Sequence, residues 1–216
     1  MTRALVRSWA WALCLVVLAG CAGALPARAD ACGDPREVAP QWYLNCKGTA
    51  PELICALRHP VAAREMATEG VADPQDAILD IALGGTATGG SGTAFPYLAI
   101  NIRFPDMQVP DGAKASLATA APGSPAGDLA PLPVPMRVRD GSVRGLRLPK
   151  DSRVPVTRDT LAALADEPLG RIASDTLLWL RLDLPGARGT AGYGLPLAGA
   201  AEAVAALRAC LFDRLP

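Results

Sequence analysis

A mainly antiparallel β fold of sandwich type, carrying a short internal helix and a C-terminal helix, is what these 216 residues predict. Three observations point to it. Twenty prolines and 21 glycines break the chain into short segments, which favours turns and strands over long helices. Several of those segments alternate apolar and polar residues with the period of a half-buried strand. The last stretch instead repeats its apolar residues at helical spacing.

The N-terminus is read apart from the fold. Met1 to Arg7 is a basic start with Arg3 and Arg7, and Ser8 to Gly20 has no charge, the two parts of a bacterial export signal. The apolar run is too short for a spanning helix, which needs about 20 residues, and no later run reaches that length. Leu18-Ala19-Gly20-Cys21 looks like a lipobox, in which Cys21 is acylated and becomes the new N-terminus. Cleavage after Ala27-Arg28-Ala29 is the alternative and leaves a soluble chain starting at Asp30. Both routes place the protein in the periplasm or at the outer membrane. The division expected is signal peptide 1–20, N-terminal linker 21–40 and one domain over 41–216.

Two alternating stretches are then expected to form a hairpin. Gln41 to Cys46 places Trp42, Leu44 and Cys46 on one face, and Leu53 to Arg58 places Leu53, Cys55 and Leu57 on one face. If Cys46 faces Cys55, antiparallel register sets Leu44 opposite Leu57 and Trp42 opposite His59. Pro60 to Glu69 is expected as a short helical turn and Ala77 to Leu83 as a strand. Gly84 to Gly92 reads as a flexible hairpin loop. It lacks the third glycine of a dinucleotide fingerprint and any Gly-Lys-Ser/Thr, and a strand follows it where a phosphate loop needs a helix.

Leu98, Ile100, Ile102 and Phe104 alternate with Ala99, Asn101 and Arg103, the clearest half-buried strand in the chain. A strand over Ala113 to Thr119 follows the turn at Pro110-Asp111-Gly112, and Ala121 to Pro133 reads as an exposed loop. Val134, Met136 and Val138 alternate with Pro135, Arg137 and Arg139, then Asp140-Gly141 signals a type I′ turn, and Val143 to Leu148 closes a second hairpin. Thr157 to Glu167 is expected as a short helix, opened by Thr157 or Asp159 and closed by Pro168. Thr176 to Leu184 has few polar positions and is expected to be a central strand, and Gly192 to Leu197 makes the last strand. After Gly199, Val204, Leu207, Cys210 and Leu211 share one face of a final helix.

Charge and chemistry narrow the function. The chain balances 21 cations against 21 carboxylates, and removing residues 1–29 takes away Arg3, Arg7 and Arg28 but no acid. That balance gives no nucleic-acid signature. Of six cysteines, Cys14 lies in the signal and Cys21 is either acylated or removed, which leaves Cys32, Cys46, Cys55 and Cys210 in an oxidising compartment. Three pairings are open, and spacing favours Cys46–Cys55 with Cys32–Cys210. No C-x-x-C or His-x-His spacing supports zinc, and no cofactor is expected. His59, the only histidine, lies beside Pro60 with no G-x-S-x-G motif, and Ser91 lacks the strand-to-helix context of a nucleophile elbow. Asp166-Glu167 is read as a solvated helix end. The chain is therefore expected to be non-enzymatic, with an envelope-polymer hydrolase as the weaker alternative.

One charge feature is uneven. Arg137, Arg139, Arg144, Arg147, Lys150, Arg153 and Arg158 crowd around the second hairpin, interrupted by Asp140 and Asp151. Arg137 and Arg139 share a strand face, so Arg137, Arg139, Arg144 and Arg147 form a candidate surface for lipid phosphates or an acidic partner. The opposing reading is a solvated face that blunts a sheet edge.

The order of elements resembles the invasion-associated locus B family of exported bacterial proteins. The residues that match are Trp42 and Cys46 followed by Cys55, then Leu98-Ala99-Ile100-Asn101-Ile102-Arg103-Phe104-Pro105 leading to Val109-Pro110-Asp111-Gly112. Leu161-Ala162-Ala163-Leu164, Leu178 to Leu184, and Leu195-Pro196-Leu197-Ala198-Gly199 before Ala203 and Leu207 continue the match. Two departures stand out. Arg139 and Leu146 occupy places where family members often carry a further cysteine pair, and Ala200 stands where they often have an aromatic residue. The resemblance implies a periplasmic or surface-associated β domain that binds an envelope protein or a host surface component, with no catalytic residues to carry over. An accessory lipoprotein of a secretion or envelope-assembly machine is the alternative.

Overall fold

The computed structural model describes residues 33–65, 75–87, 94–121, 129–151, 153–186 and 189–215. The stretch expected to be an export signal with Cys21, and also Cys32, Ser91 and the middle of the 121–133 tract, lie outside the described residues. Among those described, eleven strands form one antiparallel sheet and two helices pack against it.

The strands are β1 (Arg36–Ala39), β2 (Trp42–Lys47), β3 (Ile54–Glu65), β4 (Gln75–Ala87), β5 (Ala94–Arg103), β6 (Lys114–Ala120), β7 (Ala130–Pro131), β8 (Met136–Arg139), β9 (Ser142–Arg147), β10 (Leu177–Asp183) and β11 (Thr190–Pro196). The helices are α1 (Arg158–Ser174) and α2 (Ala200–Phe212). Sheet order is β7–β6–β10–β11–β3–β4–β5–β9–β8, with β2 on the first part of β3 and β1 on β2. The sheet curls so that β6 meets β8, and its two halves face one another across a single core.

The first hairpin has the register expected of it. Cys46 pairs with Cys55 and Leu44 with Leu57, the two cysteines are disulfide-bonded, and Trp42 stacks on His59. Beyond Arg58 the expectation of a helical turn fails, because β3 continues as a strand to Glu65. Its alternation does not stop at the proline: Val61 and Ala63 are buried in line with Leu57 and His59. Pro60 falls where β2 pairing has ended at Arg58 and β11 pairing has not begun at Arg64. A residue without N–H is tolerated in a strand at such a one-sided position.

Two glycines assigned to the loop, Gly84 and Gly85, belong to β4 and pair with Tyr97 and Pro96. A Cβ on Gly85 would press on the Pro51 carbonyl and on the Val156 side chain, so the strand crosses there only as glycine. The second hairpin turns at Asp140 and Gly141, with φ of 51° and 70°, as a type I′ turn requires.

Helix α1 overruns its expected stop. It runs 17 residues through Pro168 to Ser174. An interior proline costs about 3 kcal/mol or more, but Leu169 and Ile172, both beyond it, are wholly buried, each worth about 1.5–3 kcal/mol. The start was legible, since Thr157 and Thr160 cap each other reciprocally. Helix α2 buries Val204, Leu207, Cys210 and Leu211 on one face, the face expected. Cys210 is disulfide-bonded, while its expected partner Cys32 lies outside the described residues. Arg36–Ala39, inside the stretch assigned to the linker, is strand β1 paired to β2.

Candidate functional site

Alternation on the curled sheet separates a core face from an outer face. Leu57, Ile81, Ile100 and Gly145 follow one another through the core. On the outer side Tyr43, Arg58, Asp80, Asn101, Arg144 and Arg137 succeed one another across six strands. The neighbouring outer row is Asn45, Ala56, Ala82, Ala99 and Leu146. A polar row thus runs beside a nearly uncharged one, and both end at the β8–β9 hairpin.

Asp80 is taken up within this face. Arg58 Nε donates to its Oδ1 at 2.8 Å and Arg103 Nη2 to its Oδ2 at 2.9 Å. The hydrogen bond and the charge of Asp80 together raise Arg58 above the ordinary guanidinium value.

At the hairpin the arginines are less committed. Arg139 and Arg144 approach the single carboxylate of Asp140 at 3.6 and 3.4 Å, longer than a charge-assisted hydrogen bond. Among the described residues Arg137 has no carboxylate partner. Pro135, Arg137, Val138, Arg144, Leu146 and Leu148 line a groove of about 620 Å³. Leu146 and Leu148 are 50% and 45% exposed, and they rise beside the guanidinium groups instead of entering the core.

Arg147 does not join this surface. It lies opposite Leu98 on the core side of β9 and reaches α1, where its Nη1 stands 3.9 Å from Glu167 Oε2. The candidate surface is therefore Arg137, Arg139 and Arg144 with Leu146 and Leu148. Sequence reasoning passed over the leucines, although their signal was present: in the β9 alternation both fall on the parity of Arg144, which is the solvent side.

The groups weighed for catalysis are engaged in structure. His59 is 3% exposed, its ring centroid 4.2 Å from that of Trp42 with planes 5° apart. Its Nδ1 lies 3.1 Å from the Gln41 carbonyl oxygen and its Nε2 3.2 Å from that of Pro196; the tautomer decides which nitrogen donates. Asp166 and Glu167 lie within α1 and not at its end. Asp166 pairs with Arg208 of α2 at 3.1 Å, and Glu167 with Arg171 at 3.1 Å. Among the described residues no three of His, Cys, Asp and Glu gather as a metal site would require, and no helix is long and apolar enough to cross a membrane.

No family model matches this chain, and neither a curated protein nor a solved structure does.

Proposed function

We propose that this chain is a non-enzymatic exported protein of the bacterial envelope, similar to the invasion-associated locus B proteins, and that it works by binding through the β8–β9 hairpin. The observation that carries the reading is the juxtaposition of Arg137, Arg139 and Arg144 with half-exposed Leu146 and Leu148 around one groove. Guanidinium forks with spare donors recognise carboxylate or phosphate, and exposed leucines beside them supply apolar contact at the same place. The N-terminal sequence supports export, with Cys21 as lipid anchor, to the periplasm or the outer membrane. Host-cell invasion enters this reading through the family resemblance alone.

The test is a photo-crosslinking residue at position 146 in intact cells, against the same residue at Glu202 on the exposed side of α2. Binding through the hairpin gives adducts at 146 and not at 202. Equal yields at the two positions, or none at 146, would remove the hairpin from the account.

A further inference from the structure

We infer that the partner met by this face is an anionic lipid bilayer, with Leu146 and Leu148 entering the interface while Arg137, Arg139 and Arg144 hold headgroup phosphates. The inference rests on the hairpin-binding reading above and names the chemistry of its partner.

Charge is concentrated where the leucines are. Residues 134–153 carry six cations (Arg137, Arg139, Arg144, Arg147, Lys150 and Arg153) against Asp140 and Asp151, within a chain of zero net charge. Four of the six cluster around Leu146 and Leu148: Arg137, Arg139 and Arg144 share a groove with both leucines, and Lys150 lines the neighbouring hollow of about 400 Å³ that has Leu148 as a common wall, while Arg147 turns to Glu167 of α1. The acids of the outer face offset little of this, since Asp80 is held between Arg58 and Arg103 and Asp140 is shared by two arginines.

The exposed apolar side chains point the same way. Among the described residues the large ones are Tyr43, Leu146 and Leu148; Tyr43 and Leu146 stand on the outer rows, and Leu148 follows Leu146 at the same parity. A free phosphate would satisfy the arginines and leave the leucines in water. A bilayer takes both, because its phosphates lie at the level where short apolar side chains begin to bury. The uncharged strip Ala56, Ala82 and Ala99 beside the polar row presents no bulk of its own to hold that part of the face away from a flat surface.

The tether fits as well. Cys21 precedes Arg36, the first residue of β1, by 15 residues, a reach of at most about 50 Å. An acylated chain would hold the domain close to the membrane, where the basic patch would meet the surface at raised effective concentration.

The experiment uses the exported chain carrying Cys21→Ser, which cannot be acylated, and vesicles of phosphatidylcholine with or without phosphatidylglycerol. Co-sedimentation at low salt is expected to be at least about tenfold stronger with phosphatidylglycerol present and to weaken as salt is added. Arg137→Gln with Arg144→Gln should lower it about tenfold, and Leu146→Ser with Leu148→Ser should lower it too. Unchanged thermal midpoints show that both variants are folded. Absence of binding by the parent, equal binding to neutral vesicles, or binding untouched by either pair of substitutions overturns the bilayer assignment. If the parent ignores vesicles yet crosslinks to a protein at 146 in cells, the bilayer is overturned and the hairpin-binding reading stands. If neither occurs, both fall.

Discussion

Arg144 and Arg147 are three positions apart and do opposite things, because a strand turns each successive side chain to the other face. Arg144 stands in the outer row and Arg147 lies under α1 near Glu167. Composition counted both as one basic cluster; parity separates them. The same attention to single atoms explains Trp42, whose Nε1–H donates to the Ala198 carbonyl oxygen at 2.7 Å while its ring covers His59. Trp42→Phe removes that donor and its part-buried hydrogen bond, and leaves part of the volume of a wholly buried indole unfilled. A loss of about 1–3 kcal/mol is expected in denaturant unfolding. On β10, Asp183 is held below the ordinary carboxylate value, chiefly by the hydrogen bond from Arg181 Nε at 3.0 Å; desolvation opposes it, and the Thr190 hydroxyl and the charges of Arg181 and Lys114 add to the lowering. A lowered folded value stabilises the protein above the unfolded value, and that contribution disappears as pH falls through the folded one. Arg181→Gln should move the Asp183 titration upward in a carboxyl NMR experiment; an unmoved midpoint would show that Arg181 is not its cause.

At the scale of elements, what could be read was set by how purely a segment followed one period. The Cys46–Cys55 hairpin, the strand around Ile100, the type I′ turn at Asp140-Gly141 and the apolar face of α2 were all legible, since local pattern and tertiary packing agree there. Both errors at Pro60 and Pro168 arose from treating a proline as a stop. In each case the apolar positions beyond it, Val61 and Ala63 or Leu169 and Ile172, are buried, and tertiary burial outweighs the missing N–H. β1 was too short to show an alternation of its own. Gly84 and Gly85 were misread for another reason: their need for glycine comes from Leu53, Pro51 and Val156, neighbours that no local pattern reveals. Gly85→Ala tests this. The added methyl has backbone on one side and Val156 on the other, so a loss of about 1–3 kcal/mol is expected, read as a lowered unfolding midpoint; a neutral or stabilising result would mean that β4 and Pro51 separate easily.

Over the whole molecule, the curled sheet places its long apolar rows around one core and turns the remaining rows outward, where the hairpin ends them. The outer surface was half legible: the arginines stood out in the sequence, whereas the exposure of Leu146 and Leu148 needed the strand register and the sheet order. Surface substitutions there should change stability by no more than about 0.5 kcal/mol, so binding and folding can be separated. The most direct test of the binding account is the adduct yield from the crosslinking residue at position 146 in intact cells, compared between the parent chain and one carrying Arg137→Glu with Arg144→Glu. The account predicts that charge reversal abolishes the adducts while the thermal midpoint of the purified protein stays where it was. Adducts of undiminished yield would contradict it, because the surface would then be binding without the charges on which the account depends.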